Sequence, residues 1–262
     1  MKIKLLCLAG LLLVTVAASA EEWKRDFTVG AHPQLRVQTN DAQVEVRGTV
    51  GNTISARIVS EGWRIGPGGL SVTAQQSGDS VFLQVKIPDR MIHFNFGSRS
   101  VRVEVSVPQA TALDLSSSDG ALRLSGIKGE SRVATSDGSI RADNFDGNLH
   151  ARTSDGSVEV GGRFDLLDIN TSDGHITADV WKGSHMNGGW NLRTADGSIT
   201  LRLPDDLSAY LDAWTSDGHI DLQFPVEVSG RVEKNRVRGK IHGGGPTLQI
   251  HTSDGSITLR RL

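Results

Sequence analysis

The sequence predicts an all-β fold: a β-solenoid, β-helix-like, with coils about 18 residues long and an irregular N-terminal β cap. Three observations carry that expectation. A four-residue phrase, Thr-Ser-Asp-Gly or a close variant, stands at seven places, and Asp119, Asp137, Asp155 and Asp173 follow one another at intervals of 18 residues. A fixed period near 20 residues is the mark of stacked repeats. The residues flanking the phrase alternate apolar and polar, the period of a strand with one buried face. No helix-period run of useful length appears.

Met1 to Ala20 read as a secretory signal peptide. Lys2 and Lys4 give the positive start, Leu5 to Val16 a short apolar core, and Ala18-Ser19-Ala20 the small-residue cleavage pattern, so the mature chain begins at Glu21. The apolar core is too short for a comfortable membrane span. The single cysteine, Cys7, lies inside it and comes too early for a lipoprotein, so the mature chain has no disulfide, thiol nucleophile or cysteine metal ligand. The expectation is export to the periplasm or cell surface, with no stable membrane span after cleavage. A formal net charge of −2 shows no nucleic-acid footprint.

Residues 21–112 read as the irregular cap. Strand-like stretches lie at Ile54 to Val59, Leu70 to Ala74, Val81 to Ile87 and Val101 to Val107, and Gly66-Pro67-Gly68-Gly69 and Ser77-Gly78-Asp79 mark turns. Arg90 to Ser100 read as a loop. Thr39-Asn40-Asp41-Ala42 resembles a decayed first copy of the phrase. Terminal units of a stack are atypical because they close an edge.

Residues 113–262 read as the regular solenoid. Its turns are the pairs Asp119-Gly120, Asp137-Gly138, Asp155-Gly156, Asp173-Gly174, Asp196-Gly197, Asp217-Gly218 and Asp254-Gly255. Gly supplies a positive φ without a Cβ penalty, and Asp can bond to nearby backbone N–H groups. Four residues before each Asp stand Leu115, Val133, Ala151, Ile169, Leu192, Ala213 and Ile250; three after stand Leu122, Ile140, Val158, Ile176, Ile199, Ile220 and Ile257. These apolar columns predict a shared core, with like residues stacked in chain order about 4.8 Å apart. A meander of hairpins would show the same alternation. Asp146-Gly147 and Lys128-Gly129 mark a second turn halfway along the coil. Three stretched intervals are insertions: Trp181 to Trp190, a stretch including Pro204-Asp205-Asp206, and Phe224 to Pro246, which carries Arg231, Lys234, Arg236, Arg238 and Lys240. Insertions map to the rim, where specificity usually lives. The third has an alternative reading, as cover for the last coils, because Ser256 to Leu262 would otherwise be a bare edge strand.

Each candidate site has a plainer reading beside it. A column of ionised aspartates is a weak cation candidate, best at Asp137, Asp155 and Asp173, since calcium takes several oxygen ligands; donors and solvent around ordinary turns account for it as well. His175 and His219, two coils and so about 10 Å apart, are too distant to share a metal and read as exposed turn residues. Trp190 falls in an apolar column and reads as core. Trp181 and Trp214 read as exposed aromatics that could stack on sugars or enter a partner interface. No nucleophile-elbow, phosphate-loop or zinc-helix pattern appears, so no catalytic residue and no cofactor is expected.

The signal peptide, the irregular β start and the repeated Ser-Asp-Gly-Ser-Ile units together resemble a bacterial family of unknown function known as "putative adhesin". The resemblance covers about residues 35–262. It implies an exported β-helical protein of the cell envelope with no established chemistry, and it transfers no functional residue. The expectation is a non-enzymatic, adhesin-like scaffold or binding surface whose partner is an envelope polysaccharide, an envelope protein, or another copy of the chain. The alternative, from a different class, is a carbohydrate-active lyase or hydrolase on a β-helix.

Overall fold

The structure, a computed structural model, describes residues 20–88, 99–228 and 233–262. Residues 1–19 of the expected signal peptide with Cys7, residues 90–98 of the expected loop, and Arg231 lie outside the described residues. The described residues form an all-β fold with no helix. The strands of the first part are β1 (Glu21–Thr28), β2 (Gln34–Thr39), β3 (Gln43–Thr49), β4 (Thr53–Glu61), β5 (Ser71–Ser77), β6 (Ser80–Lys86) and β7 (Ser100–Pro108). The phrase-bearing part holds β8 (Ala112–Ser116), β9 (Leu122–Ser125), β10 (Lys128–Ala134), β11 (Ile140–Arg152), β12 (Val158–Asn170), β13 (Ile176–Val180), β14 (Trp190–Arg193), β15 (Ile199–Leu203), β16 (Ala209–Thr215) and β17 (Ile220–Gln223). The chain finishes with β18 (Glu227–Val228), β19 (Arg236–Ile241), β20 (Thr247–Thr252) and β21 (Ile257–Arg261).

Successive copies of the phrase pair in parallel, like column on like. Val133 lies between Leu115 and Ala151, and Ile140 between Leu122 and Val158. One ladder precedes the phrase and one follows it, so each layer carries one strand of each. β11 and β12 serve two layers. β11 pairs with β9 as far as Asp143 and with β10 from Asp146, and its register against β12 shifts between Ala142 and Phe145. The halfway corner is thus a bend between long hydrogen-bonded runs. The inward columns, Leu115, Val133, Ala151, Ile169, Leu192, Ile250 and Ala213 from one ladder and Leu122, Ile140, Val158, Ile176, Ile199 and Ile257 from the other, are buried. Each large aliphatic contributes about 1.5–3 kcal/mol. Phe145, Phe164 and Trp190 fill the core at the halfway corner. Phe145 and Phe164 stack with centroids 5.8 Å apart, and Trp190 meets Phe164 edge-on.

The order of layers departs from the order of the chain. The last copy of the phrase does not follow the sixth. β20 lies between β14 and β16, and β21 between β15 and β17. The long interval from Asp217 to Asp254 is the chain needed to leave one layer, pass along β19 and re-enter beneath it. Ser256 to Leu262 is therefore not a bare edge. The third insertion covers a different strand, because β19 runs antiparallel along β16. The other end repeats the device. β2 and β3 pair in parallel with β8 and β9 on one side and with β6 and β7 on the other. Beyond them β5 runs antiparallel to β6, and β4 joins β7 to β1 antiparallel. The decayed copy at Asn40 is part of the stack, since the Asn40 carbonyl accepts from the Ser118 and Asp119 N–H groups, each at 2.9 Å.

The phrase works differently from the turn its sequence suggests. None of its seven glycines has a positive φ. Glycine is required by close approach: a Cβ on Gly156 would lie 1.9 Å from the Gly138 carbonyl oxygen, and the same contact recurs at Gly120, Gly138, Gly174, Gly197, Gly218 and Gly255. The Asp side chain is also not the bonding group. The buried Thr153 hydroxyl accepts from the Gly156 N–H at 3.2 Å and faces the Ser136 and Gly138 carbonyls of the layer below at 3.0 and 3.1 Å. The Ser154 and Asp155 N–H groups both donate to that Ser136 carbonyl, at 2.9 and 3.0 Å. The pattern recurs at Thr135, Thr171, Thr194 and Thr215, and the Thr252 hydroxyl makes the same pair of bonds to the layer beneath, at the Ala195 and Gly197 carbonyls.

Gly156→Val therefore meets backbone rather than open space. It is expected to cost about 3 kcal/mol or more, beyond ordinary overpacking, while Gly188→Ala, where nothing lies within 4 Å, leaves thermal unfolding unchanged. Equal melting temperatures for the two variants would refute the close-approach account.

Candidate binding surfaces

Three surfaces bring chemistry together. The first is the border of the phrase. Asp119, Asp137, Asp155, Asp173, Asp196, Asp217 and Asp254 are all exposed, so solvent relieves most of their mutual repulsion. Asp119 lies beside Asp41. A hydrogen bond shared with Asp41 raises its pKa, with desolvation and the Asp41 charge adding to the effect and Asp137 opposing it. Among the described residues no group of three or more His, Cys, Asp or Glu side chains is placed to hold a metal ion, and Asp137, Asp155 and Asp173 stand side by side without converging. His175 and His219 are three layers apart, not two, because the last copy lies between them. Each binds its neighbour instead: the Ser198 N–H donates to His175 Nδ1 at 3.0 Å, and Ser256 Oγ meets His219 Nδ1 at 3.0 Å.

The second surface is the outward side of the ladder preceding the phrase. Across it runs a row of polar side chains: Arg36, Asp114, Arg132, His150, Asp168, Asn191, Gln249 and Asp212. Burial pushes the Asp168 carboxyl up, but hydrogen bonds from Asn191, His150 and Asn170 outweigh it and hold the group below the usual range. Trp214 stands in the adjacent row, 38% exposed. Its ring is stacked on His251, centroids 4.1 Å apart and planes 2° from parallel, so one indole face is already occupied. Burial, reinforced by the Arg193 charge, lowers the His251 pKa, and both ring nitrogens are buried without a hydrogen-bond partner among the described residues. Tyr210, 46% exposed on the same strand, was not legible as a site residue; only its place in an outward column marks it. At the far end of this face a groove of about 620 Å³ is lined by Gln34, Arg36, Gln75, Phe82 and Arg132, with Arg36 bound to Asp114.

The third surface is the halfway corner. A cleft of about 260 Å³ is lined by Trp181, Lys182, Lys128, Asn144, Asp146 and Arg163. Trp181 is 39% exposed. The sequence marks Trp181 by its insertion and Lys128 by the turn glycine beside it. Arg163 and Asn144 carry no such signal, and what joins them to Trp181 is the parallel stacking of three layers.

Residues 34–260 match the model of a family described as Toastrack DUF4097. No curated protein matches the chain. Among solved structures the chain is similar to a "putative cell adhesion protein" from Clostridium sporogenes, with a TM-score of 0.45 and 10% identity over 93% of this chain and 100% of that one. It is also similar to a "putative adhesin" from Bacteroides fragilis, with a TM-score of 0.39 and 12% identity over 94% and 99% of the two chains. A third, from Parabacteroides merdae, gives a TM-score of 0.42 and 10% identity over 91% and 96%.

The Asp41–Asp119 contact has a pH signature. A carboxyl whose folded pKa is raised contributes stability below its unfolded pKa, about 3.9, and loses it as the pH rises through the folded value. Asp119→Asn is expected to melt slightly higher than the parent at pH 7, the gain shrinking to nothing near pH 3. A gain equal at both pH values would show that the contact carries no shared proton.

Proposed function

The chain belongs to the Toastrack DUF4097 family, and from that premise we propose that it is an exported, non-enzymatic β-solenoid acting as an adhesin-like scaffold of the cell envelope. In this reading residues 113–262 are the regular solenoid, residues 21–112 its irregular cap, and residues 1–20 a cleaved signal peptide. The Asp-Gly pairs of the phrase are structural. The observation that carries the reading is the parallel register of like columns on either side of the phrase, which spreads polar side chains over long faces and, among the described residues, gathers no reactive set in an enclosed site.

The acids support the same conclusion. Glycoside hydrolysis needs two carboxyls in contrasting environments, one raised enough to act as an acid beside a partner held ionised. Asp168, the part-buried carboxyl on the polar face, is shifted down rather than up. Asp119 is shifted up, but at a fully solvated border. The partner is an envelope polysaccharide, an envelope protein, or the same chain end to end.

A glycan array probed alongside turnover of uronate polymers tests the proposal. Retention of glycans with no release of reducing ends or unsaturated products is expected. Any turnover that follows the protein through purification contradicts it.

A further inference from the structure

We propose that the cleft at the halfway corner, walled by Trp181 and bordered by Lys128 and Lys182, is a subsite for a carboxylated sugar of an acidic glycan. The inference rests on the binding-surface reading above and names the ligand class of one place on it.

The charge is the first argument. The chain as a whole carries −2, yet this cleft gathers Lys128, Arg163 and Lys182 against the single acid Asp146. That acid is already taken, since Arg163 Nη2 lies 2.5 Å from its Oδ2. The side-chain ammonium groups of Lys128 and Lys182 have neither an ion pair nor a hydrogen bond among the described residues. Two unpaired ammonium groups at one small concavity select an anion, and charge-assisted bonds to a carboxylate are roughly twice as strong as neutral ones.

The aromatic wall is the second argument, because its backbone is held in place. The Trp181 N–H donates to the Gly162 carbonyl at 2.7 Å. The Trp181 carbonyl accepts from the hydroxyl of buried Ser184 at 2.8 Å, and that hydroxyl in turn accepts from the Phe164 N–H at 3.1 Å. The Gly183 N–H reaches Asp206 in the next insertion. The indole N–H itself has no partner among the described residues. An aromatic side chain on a fixed backbone, with a donor that has no partner among the described residues, suits a sugar ring, which offers a C–H face to the π-system and hydroxyls to the donor.

The floor is the third. Asn144 adopts φ 51°, a conformation that Asn tolerates better than other non-glycine residues and that collects at functional places. It brings a further amide to the cleft. The volume, about 260 Å³, lies below the 300–1,000 Å³ usual for sites that enclose a larger ligand. It suits one sugar unit, the rest of the glycan running along the outer rows.

The test titrates the full mature chain with trigalacturonate, with the corresponding neutral galactose trisaccharide, and with acetate, followed by indole fluorescence and calorimetry. Trigalacturonate is expected to bind, more weakly as salt rises. Trp181→Ala and the double variant Lys128→Ala/Lys182→Ala should each lose at least tenfold in affinity with unchanged melting temperatures, while Trp214→Ala keeps the parent affinity. Failure of trigalacturonate to bind the parent overturns the proposal. So does equal affinity for the neutral trisaccharide or for acetate alone, or full affinity in the Trp181 variant. An array that retains other glycans while trigalacturonate fails removes this subsite and leaves the scaffold reading standing; turnover on the array removes the scaffold reading itself.

Discussion

The structure depends on one backbone approach, repeated. At each corner the Gly backbone of one layer lies on the carbonyl of the residue below it, Ala42 beneath Gly120 and a Gly elsewhere, too close for any Cβ. Two N–H groups and a hydroxyl of the same corner aim at one carbonyl beneath, a serine's at most corners and that of Ala195 beneath Thr252. That contact sets the layer spacing, and the spacing sets everything else. It brings the aliphatic columns into van der Waals contact, it lines up the outward rows, and it pushes the aspartates to the border, where water rather than protein surrounds them. Threonine is needed because its hydroxyl can accept from its own corner and donate to the next while the corner stays buried. Serine stands in its place at Ser117, where the layer beneath is the decayed copy at Asn40.

A stack built this way has two exposed ends, and at both the chain sets a returning layer inside the last one. Its terminal phrase-like layers, β2–β3 and β20–β21, are second from the outside, bonded on both faces. The outermost layers come from the interior of the sequence; at one end antiparallel strands, β5 and β4, flank both ladders, and at the other β19 flanks β16, while β17 pairs among the described residues with β21 alone. A strand bonded on both sides frays less than one bonded on a single side, and a parallel ladder that ends in antiparallel cover offers less open edge to another chain. Both consequences suit a protein without a disulfide among its described residues.

Much of this was legible from residue spacing alone. The period, the alternation and the identity of the core columns follow from local rules, and Trp190 reads correctly as core because its column is apolar. What escaped has physical reasons. Layer order is a matter of long-range topology: the 37-residue interval between Asp217 and Asp254 is compatible with an insertion on the rim or with a return into the stack, and no local preference separates them. The role of glycine escaped because an Asp-Gly pair is chemically suited to a positive φ, whereas crowding between layers exists only once the layers are assembled. The threonine column was visible but silent, since a hydroxyl announces no direction. Trp214 reads as an exposed aromatic, yet its face is occupied by His251, which arrives from the displaced last copy. The corner cleft is the same case: Lys128, Asn144, Arg163 and Trp181 are scattered along the chain and meet through stacking.

The layer order is the claim on which the rest turns, and engineered disulfides measure it directly, since residues 20–262 contain no cysteine. Adjacent layers lie about 4.8 Å apart, within the Cα separation a disulfide spans, whereas a two-layer gap of about 9.6 Å exceeds the limit near 7 Å. Ala195→Cys paired with Ser253→Cys should cross-link on mild oxidation, and Ala195→Cys paired with Ser216→Cys should stay reduced. Cross-linking of the second pair and not the first would mean that the copies stack in chain order and that the interleaved end is wrong.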